Sequence, residues 1–276
     1  MTRVALLQMC SGIDPTHNAD QVSQYAHEAK LGGAQMLFTP EMTGLIDRDR
    51  TRSARHIVSE DADIMLTAAC KAALDNGIWI SLGSLAIRDE GAERYRNRSF
   101  MINDRGEIVA RYDKIHLFDV NLQTGESWRE SNAYQAGEQP IIAETPVGAI
   151  GLSICYDLRF PALYQAYSGA GATLLTVPAA FTVPTGQGHW HCLMRARAIE
   201  NACWVIAAAQ CGEHEDGRKT YGHSLVVDPW GSVMLDMEQT LGLGFADIDL
   251  SLVDLSRARV PVIAHRKVIP ALMLKP

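Results

Sequence analysis

Several things are scarce in this 276-residue sequence, and each scarcity removes a class of function. Lysine and arginine number 25 against 32 aspartates and glutamates, a net charge of −7, so the basic stripe of a nucleic-acid binder is missing. The longest uninterrupted apolar run, residues 202–209, is eight residues long, far below the roughly 20 that cross a bilayer. The opening stretch MTRVALLQMCSGID meets Asp14 before an apolar signal core can form, and no small-residue cleavage site follows. The expectation is a cytoplasmic protein with no membrane and no nucleic-acid partner. None of the six cysteines (positions 10, 70, 155, 192, 203 and 211) stands in a CxxC pair, which leaves out zinc ribbons and fingers. In a cytoplasmic chain they are expected to be reduced, mostly serving as small buried apolar groups. Aromatic residues make up only 7%, and charged ones 21%, a balance unlike disordered or fibrous chains.

What is abundant is apolar material: 47% of the chain, enough for a large core. Its periodicity switches between 2 and 3.6 along the sequence. Residues 4–9, 35–38, 79–87, 147–154, 173–177 and 204–209 read as buried strands. Val22, Tyr25, Ala26 and Ala29 share one helical face, as do Met65, Ala68, Ala69 and Ala72, and Leu163, Ala166, Tyr167 and Ala170 behind Pro161. Asn103-Asp104-Arg105-Gly106 joins residues 99–102 and 108–112 into a hairpin. A helix is expected through residues 193–199, then three more short strands and a closing helix over 250–259. This alternation predicts an α/β fold, and with no Ser/Pro/Gly-rich linker residues 1–276 read as a single domain. One internal echo supports two stacked halves: LGGAQMLFTPEM (31–42) is similar to GAGATLLTVPAAF (169–181) at an offset of 138.

Three strand ends carry chemistry-bearing residues. Cys155 follows a buried strand in GLSICYDLRFP, where a nearby helix start would lower a thiol pKa and favour the thiolate. Position alone does not separate it from Cys10 and Cys211, which also end apolar strands. Glu41 follows the strand-ending Pro40, and Lys114 ends the strand in IVARYDKIHLF. On one rim, such a set gives a base, a nucleophile and a fixed cation for an oxyanion. Taken singly, a surface carboxylate and a solvated lysine are the more ordinary readings of Glu41 and Lys114. The HWH segment (His189, His191) invites a metal, but on a helix the two rings face different ways and no acidic ligand stands at supporting spacing; no metal is expected. Ser153 lacks the second glycine of a GxSxG elbow.

Together, TPEM, YDKIHLF and CYDLRFP, in this order and spacing, resemble the nitrilase or carbon–nitrogen hydrolase superfamily over nearly the whole chain. Within it, FTVPTGQGHWHCLMRARAIEN, AAAQCGEHEDGRKTYGHSLVVDPWG and PVIAHRK are most similar to the Nit branch, nearer its deaminated glutathione amidases than its omega-amidases. The resemblance implies the nitrilase fold, an α-β-β-α sandwich that pairs into a homodimer with help from the residues after Pro261. It implies catalysis by Glu41, Lys114 and Cys155, with a second glutamate at Glu130 and no cofactor. The implied reaction is hydrolysis of a small carboxylate-bearing amide through a cysteine thioester, with deaminated glutathione giving 2-oxoglutarate and Cys-Gly; the alternative is omega-amidase action on 2-oxoglutaramate. The backbone N–H of Tyr156 would join Lys114 at the oxyanion, and Arg159 would hold the substrate carboxylate or else pair with Asp157. Pro178-Ala179-Ala180 departs from the glycine or serine often found there. A different class, an inactive binding or scaffold protein on the same fold, is set against by the presence of all three catalytic residue types.

Overall fold

The computed structural model describes residues 1–121 and 127–274, and two six-stranded sheets organise them. The first runs, edge to edge, Gly242–Ile248, Thr2–Gln8, Met36–Phe38, Trp79–Ile87, Arg96–Ile102 and Ile108–Asp113. The second runs Val233–Asp236, Leu225–Val227, Trp204–Ala207, Leu174–Thr176, Gly148–Leu152 and Ile142–Thr145. At the heart of each sheet three strands are parallel, and antiparallel strands flank them.

Alternation along one strand explains the layering. Val4 and Leu6 face the second sheet and join a core with Ile150, Leu152, Leu174 and Trp204. Ala5 and Leu7 face the other way, into a second core with Val22, Ala26, Met65 and Ala69 of the helices Pro15–Leu31 and Ile64–Asn76. On the far side, the helices Pro161–Gly169 and Val183–Asn201 cover the second sheet through Leu163, Tyr164, Tyr167, Trp190 and Met194. The result is the α-β-β-α sandwich of the nitrilase fold.

Two expectations about elements need correction. The helix expected through 193–199 begins a decade earlier, as Val183–Asn201. After Ala207 there are five strands among the described residues rather than three: Cys211–Glu213 and Lys219–Tyr221 form a separate hairpin.

The echo between residues 31–42 and 169–181 has a structural counterpart. Met36–Phe38 and Leu174–Thr176 are both inner strands with parallel neighbours on each side, and each ends at a proline, Pro40 or Pro178. The segments beyond these prolines meet: the Ala180 N–H donates to Glu41 Oε2 at 2.9 Å, and the Cys155 N–H to the Pro178 carbonyl at 2.9 Å.

Candidate active site

Glu41 owes its position to a tight backbone crossing. After Pro40 the chain turns, with Met42 in the left-handed region at φ 54°. Thr39 and Pro40 pass so close to Gly83 that an added Cβ would lie 2.1 Å from the Thr39 carbonyl oxygen, so only glycine fits. Thr39 Oγ1 accepts from the Gly83 N–H at 2.9 Å, and Ser84 Oγ from the Met42 N–H at 3.0 Å. The Glu41 side chain is thereby turned inward and buried.

Lys114 follows directly on the strand Ile108–Asp113, its N–H donating to the Asn97 carbonyl at 2.9 Å. Its ammonium donates to Glu41 Oε1 at 2.9 Å and to Glu130 Oε2 at 2.9 Å, with Glu130 Oε1 at 3.1 Å. Glu130 opens a single-turn helix, Glu130–Asn132, and also accepts from the Phe118 N–H at 2.6 Å. Asn97 was not foreseen. Its side-chain amide bridges the two carboxylates, 2.9 Å from Glu41 Oε1 and 3.1 Å from Glu130 Oε1. The only sequence sign of it is a neutral amide between two arginines on an otherwise amphipathic strand.

Cys155 begins the short helix Cys155–Arg159 beyond the strand Gly148–Leu152, in the left-handed region at φ 47°. A non-glycine residue in that region costs on the order of 1–3 kcal/mol, which surrounding bonds must offset. The Pro178 carbonyl takes its N–H, and the buried Asp157 anchors the turn. Asp157 accepts from the Ile154 N–H at 2.9 Å, Tyr112 OH at 2.8 Å, the His116 N–H at 3.0 Å and His116 Nδ1 at 2.7 Å. His116, itself stacked on Phe160, thus ties the lysine motif to the cysteine motif. The shared IHLF and CYD segments were the available signal for that brace.

Electrostatics follow from burial and proximity. Burial would raise the Glu41 carboxyl, but the Lys114 charge, its hydrogen bond and the Ala180 N–H outweigh it and hold the group below its ordinary value. Burial would lower Lys114, yet Glu130 and Glu41 hold it well above the usual range. Burial pushes the Cys155 thiol well up, and Glu41 pushes it further, against the opposing effect of Lys114. This corrects the expectation of a thiolate stabilised by a helix start. At rest the pair is a thiol beside a carboxylate, which is a nucleophile waiting for its base.

Glu41, Lys114, Glu130, Cys155 and Tyr156 line one cavity of about 500 Å³. Arg159 is not among its lining residues. Its guanidinium lies over the rings of Tyr156 and Phe181, which are, at 5.9 and 5.4 Å, and it contacts His189 Nδ1 at 3.2 Å. An Arg159–Asp157 pair is not formed either, since Asp157 is committed to the brace. The cations on the cavity wall, besides Lys114, are Arg48, Arg50, Arg129 and Arg218, none singled out from sequence. Away from the cavity, His191 Nε2 and His223 Nδ1 each lie 2.9 Å from Asp236, so His189 and His191 do diverge.

Comparisons with known proteins bear on the family. A profile of the carbon–nitrogen hydrolase family matches residues 3–258. The deaminated glutathione amidase of Yersinia enterocolitica is 39% identical over 273 residues, covering 98% of this chain and 94% of its own. The Dictyostelium discoideum protein of the same name is 44% identical over 275 residues, covering 97% and 94%. Among solved structures, the C. elegans NitFhit protein superposes with a TM-score of 0.89 at 38% identity, covering 96% of this chain, which spans 65% of that one. The amidase of Nesterenkonia sp. AN1, at 29% identity and TM-score 0.79 over 95% of this chain and 98% of its own, has been seen in mutant form with acrylamide added at its active-site cysteine.

Proposed function

This chain belongs to the carbon–nitrogen hydrolase family, and from that footing we propose that Cys155, Glu41 and Lys114 hydrolyse the amide of deaminated glutathione to 2-oxoglutarate and Cys-Gly. The observation that carries the reading is the convergence of a buried thiol, a carboxylate held ionised and a buried ammonium on one cavity.

Glu41 takes the thiol proton as sulfur attacks the amide carbon. The oxyanion is held by Lys114 and the Tyr156 N–H, one of the leading N–H groups that a helix start leaves without internal partners. Such a donor is worth about 3 kcal/mol in comparable acyl-transfer sites. Glu41 returns the proton to the leaving nitrogen as the C–N bond breaks, leaving a thioester and the free amine of Cys-Gly. A water then gives its proton to Glu41 and attacks the thioester; the C–S bond breaks and the thiol is restored. Glu130 and Asn97 are positioning residues, keeping Lys114 and Glu41 in register. Arg159 would take the carboxylate of the acyl half by moving off the Tyr156 and Phe181 rings, which leave it one side chain from the cavity.

We further place the protein in the cytoplasm as a homodimer, with residues 1–276 as one hydrolase domain. All six cysteines are unpaired, which supports a reducing compartment. No described helix is long and apolar enough to cross a membrane. Val268, Ile269, Leu272, Met273 and Leu274 are almost wholly exposed, the kind of apolar strip a partner covers.

The test is steady-state hydrolysis of deaminated glutathione and 2-oxoglutaramate side by side, with Cys155→Ala as blank. A strong preference for the first is expected. Preference for the second would make the protein an omega-amidase with the same catalytic residues, and full activity in Cys155→Ala would overturn the mechanism.

A further inference from the structure

The cavity has two electrostatic ends. At the inner end Glu41 and Glu130 face Lys114, a surplus of one negative charge beside the nucleophile. The outer wall carries Arg48, Arg50, Arg129 and Arg218 against Asp47 and Glu93. Arg129 is committed to braces, donating to the Val120 carbonyl at 3.0 Å and Asn121 Oδ1 at 2.8 Å. Arg218 is not so engaged. Its guanidinium lies 4.9 Å from the Trp128 ring centroid, a stack that fixes the plane of the fork. Its Nε and the Trp128 Nε1 are both buried, and neither has a hydrogen-bond partner among the described residues.

Among the described residues, the carboxylate in ion-pair range of Arg218 is Asp216, at 3.5 Å, and it is shared: Arg48 lies 3.8 Å from the same oxygen. Asp216 is also engaged with backbone, accepting from the Arg218 N–H and the Arg48 N–H at 2.9 Å each. Two guanidinium groups therefore divide one carboxylate that already holds the loop. Both guanidinium groups line the cavity while sharing one long contact to a carboxylate, which points to an acceptor brought by a ligand.

We propose that Arg218, stacked on Trp128 and seconded by Arg48, is a subsite for a carboxylate on the leaving-group side of the scissile amide, and that it selects a peptidic leaving group over ammonia. The inference rests on the amidase reading above. The inner end repels an anion, so a substrate with a second carboxylate lies with that group toward the arginines and its amide over Cys155.

The test compares deaminated glutathione with its C-terminal glycinamide, which differs only in lacking that charge. Wild type is expected to favour the acid by about tenfold to a hundredfold in kcat/KM, the size of a charge-assisted contact. Arg218→Ala and Arg218→Gln should both lose that preference, while Arg218→Lys keeps part of it. A wild type indifferent to the two compounds, or an Arg218→Ala protein that still prefers the acid, would overturn the subsite and leave the amidase intact. Hydrolysis of neither compound nor of 2-oxoglutaramate by wild type would instead overturn the amidase reading, and the subsite with it.

Discussion

Cys155 and Cys192 exchange the roles that reactivity alone would give them. Cys192 is exposed, whereas Cys155 is buried with its thiol pushed well above the ordinary value of 9.0. Because the thiolate is the reactive form, a general alkylating agent at neutral pH meets almost no thiolate at Cys155. Iodoacetamide should therefore modify Cys192 first, and Cys155 only as pH climbs past 9.0, as peptide mapping by mass spectrometry will read out. The sign of a second effect is less intuitive. Glu41→Gln removes the negative charge that raises the thiol and leaves Lys114 to favour the thiolate, so Cys155 should alkylate faster while turnover falls by about 10²–10⁴-fold. Turnover left intact in Glu41→Gln would mean that Glu41 is not the base. A plain count of fast-alkylating thiols would thus mistake Cys192 for the nucleophile.

At the scale of elements, glycines and caps decide which strands can approach the site. Gly83→Ala puts a Cβ 2.1 Å from the Thr39 carbonyl oxygen and 2.3 Å from that of Pro40. The crossing must open, so activity should drop at least tenfold with a lower melting temperature. Asp63→Ala serves as contrast: it removes the cap bond to the Leu66 N–H on the outer helix Ile64–Asn76, should cost about 1 kcal/mol by denaturant titration, and should leave kcat alone. Most elements were legible because their apolar spacing is clean, as in Trp79–Ile87, read to its full length. The first half of Val183–Asn201 was not. Its opening turns hold Pro184, Gly186 and Gly188, and Gly186 is pressed on Tyr221, where a Cβ would lie 2.2 Å from the ring. Tertiary packing overrides propensity there. The extra hairpin escaped because its strands are three residues each, too short for a period to register.

For the whole molecule, the three motif residues were found in sequence, but their meeting was carried by resemblance, because no local pattern encodes which strand ends share a rim. Asn97, the Ala180 N–H and the arginine wall were invisible for the same reason: each matters only through distant neighbours. The C-terminal segment belongs to this scale as well. Arg266 docks it, donating to the Gln165 carbonyl at 2.7 Å and to Ser168 Oγ and Asn201 Oδ1 at 2.9 Å each. Beyond Arg266 the apolar side chains are exposed. On the proposed homodimer, ending the chain at Lys267 should halve the mass read by light scattering without unfolding either sheet; a truncated chain that keeps the dimer mass would move the contact elsewhere, and a monomeric full-length chain would overturn the dimer.

The meeting of the two post-proline segments has a consequence in time. The base and its lysine are made with the first sheet, whereas the thiol and the Ala180 N–H that orients the base belong to the second. During synthesis the leading half emerges with its inner face uncovered and without the nucleophile. When Cys155 follows, it is an ordinary cysteine until the sheets close. The base therefore meets its nucleophile only when the two sheets are closed on each other, and a chain cut before Ala180 lacks the N–H that orients Glu41.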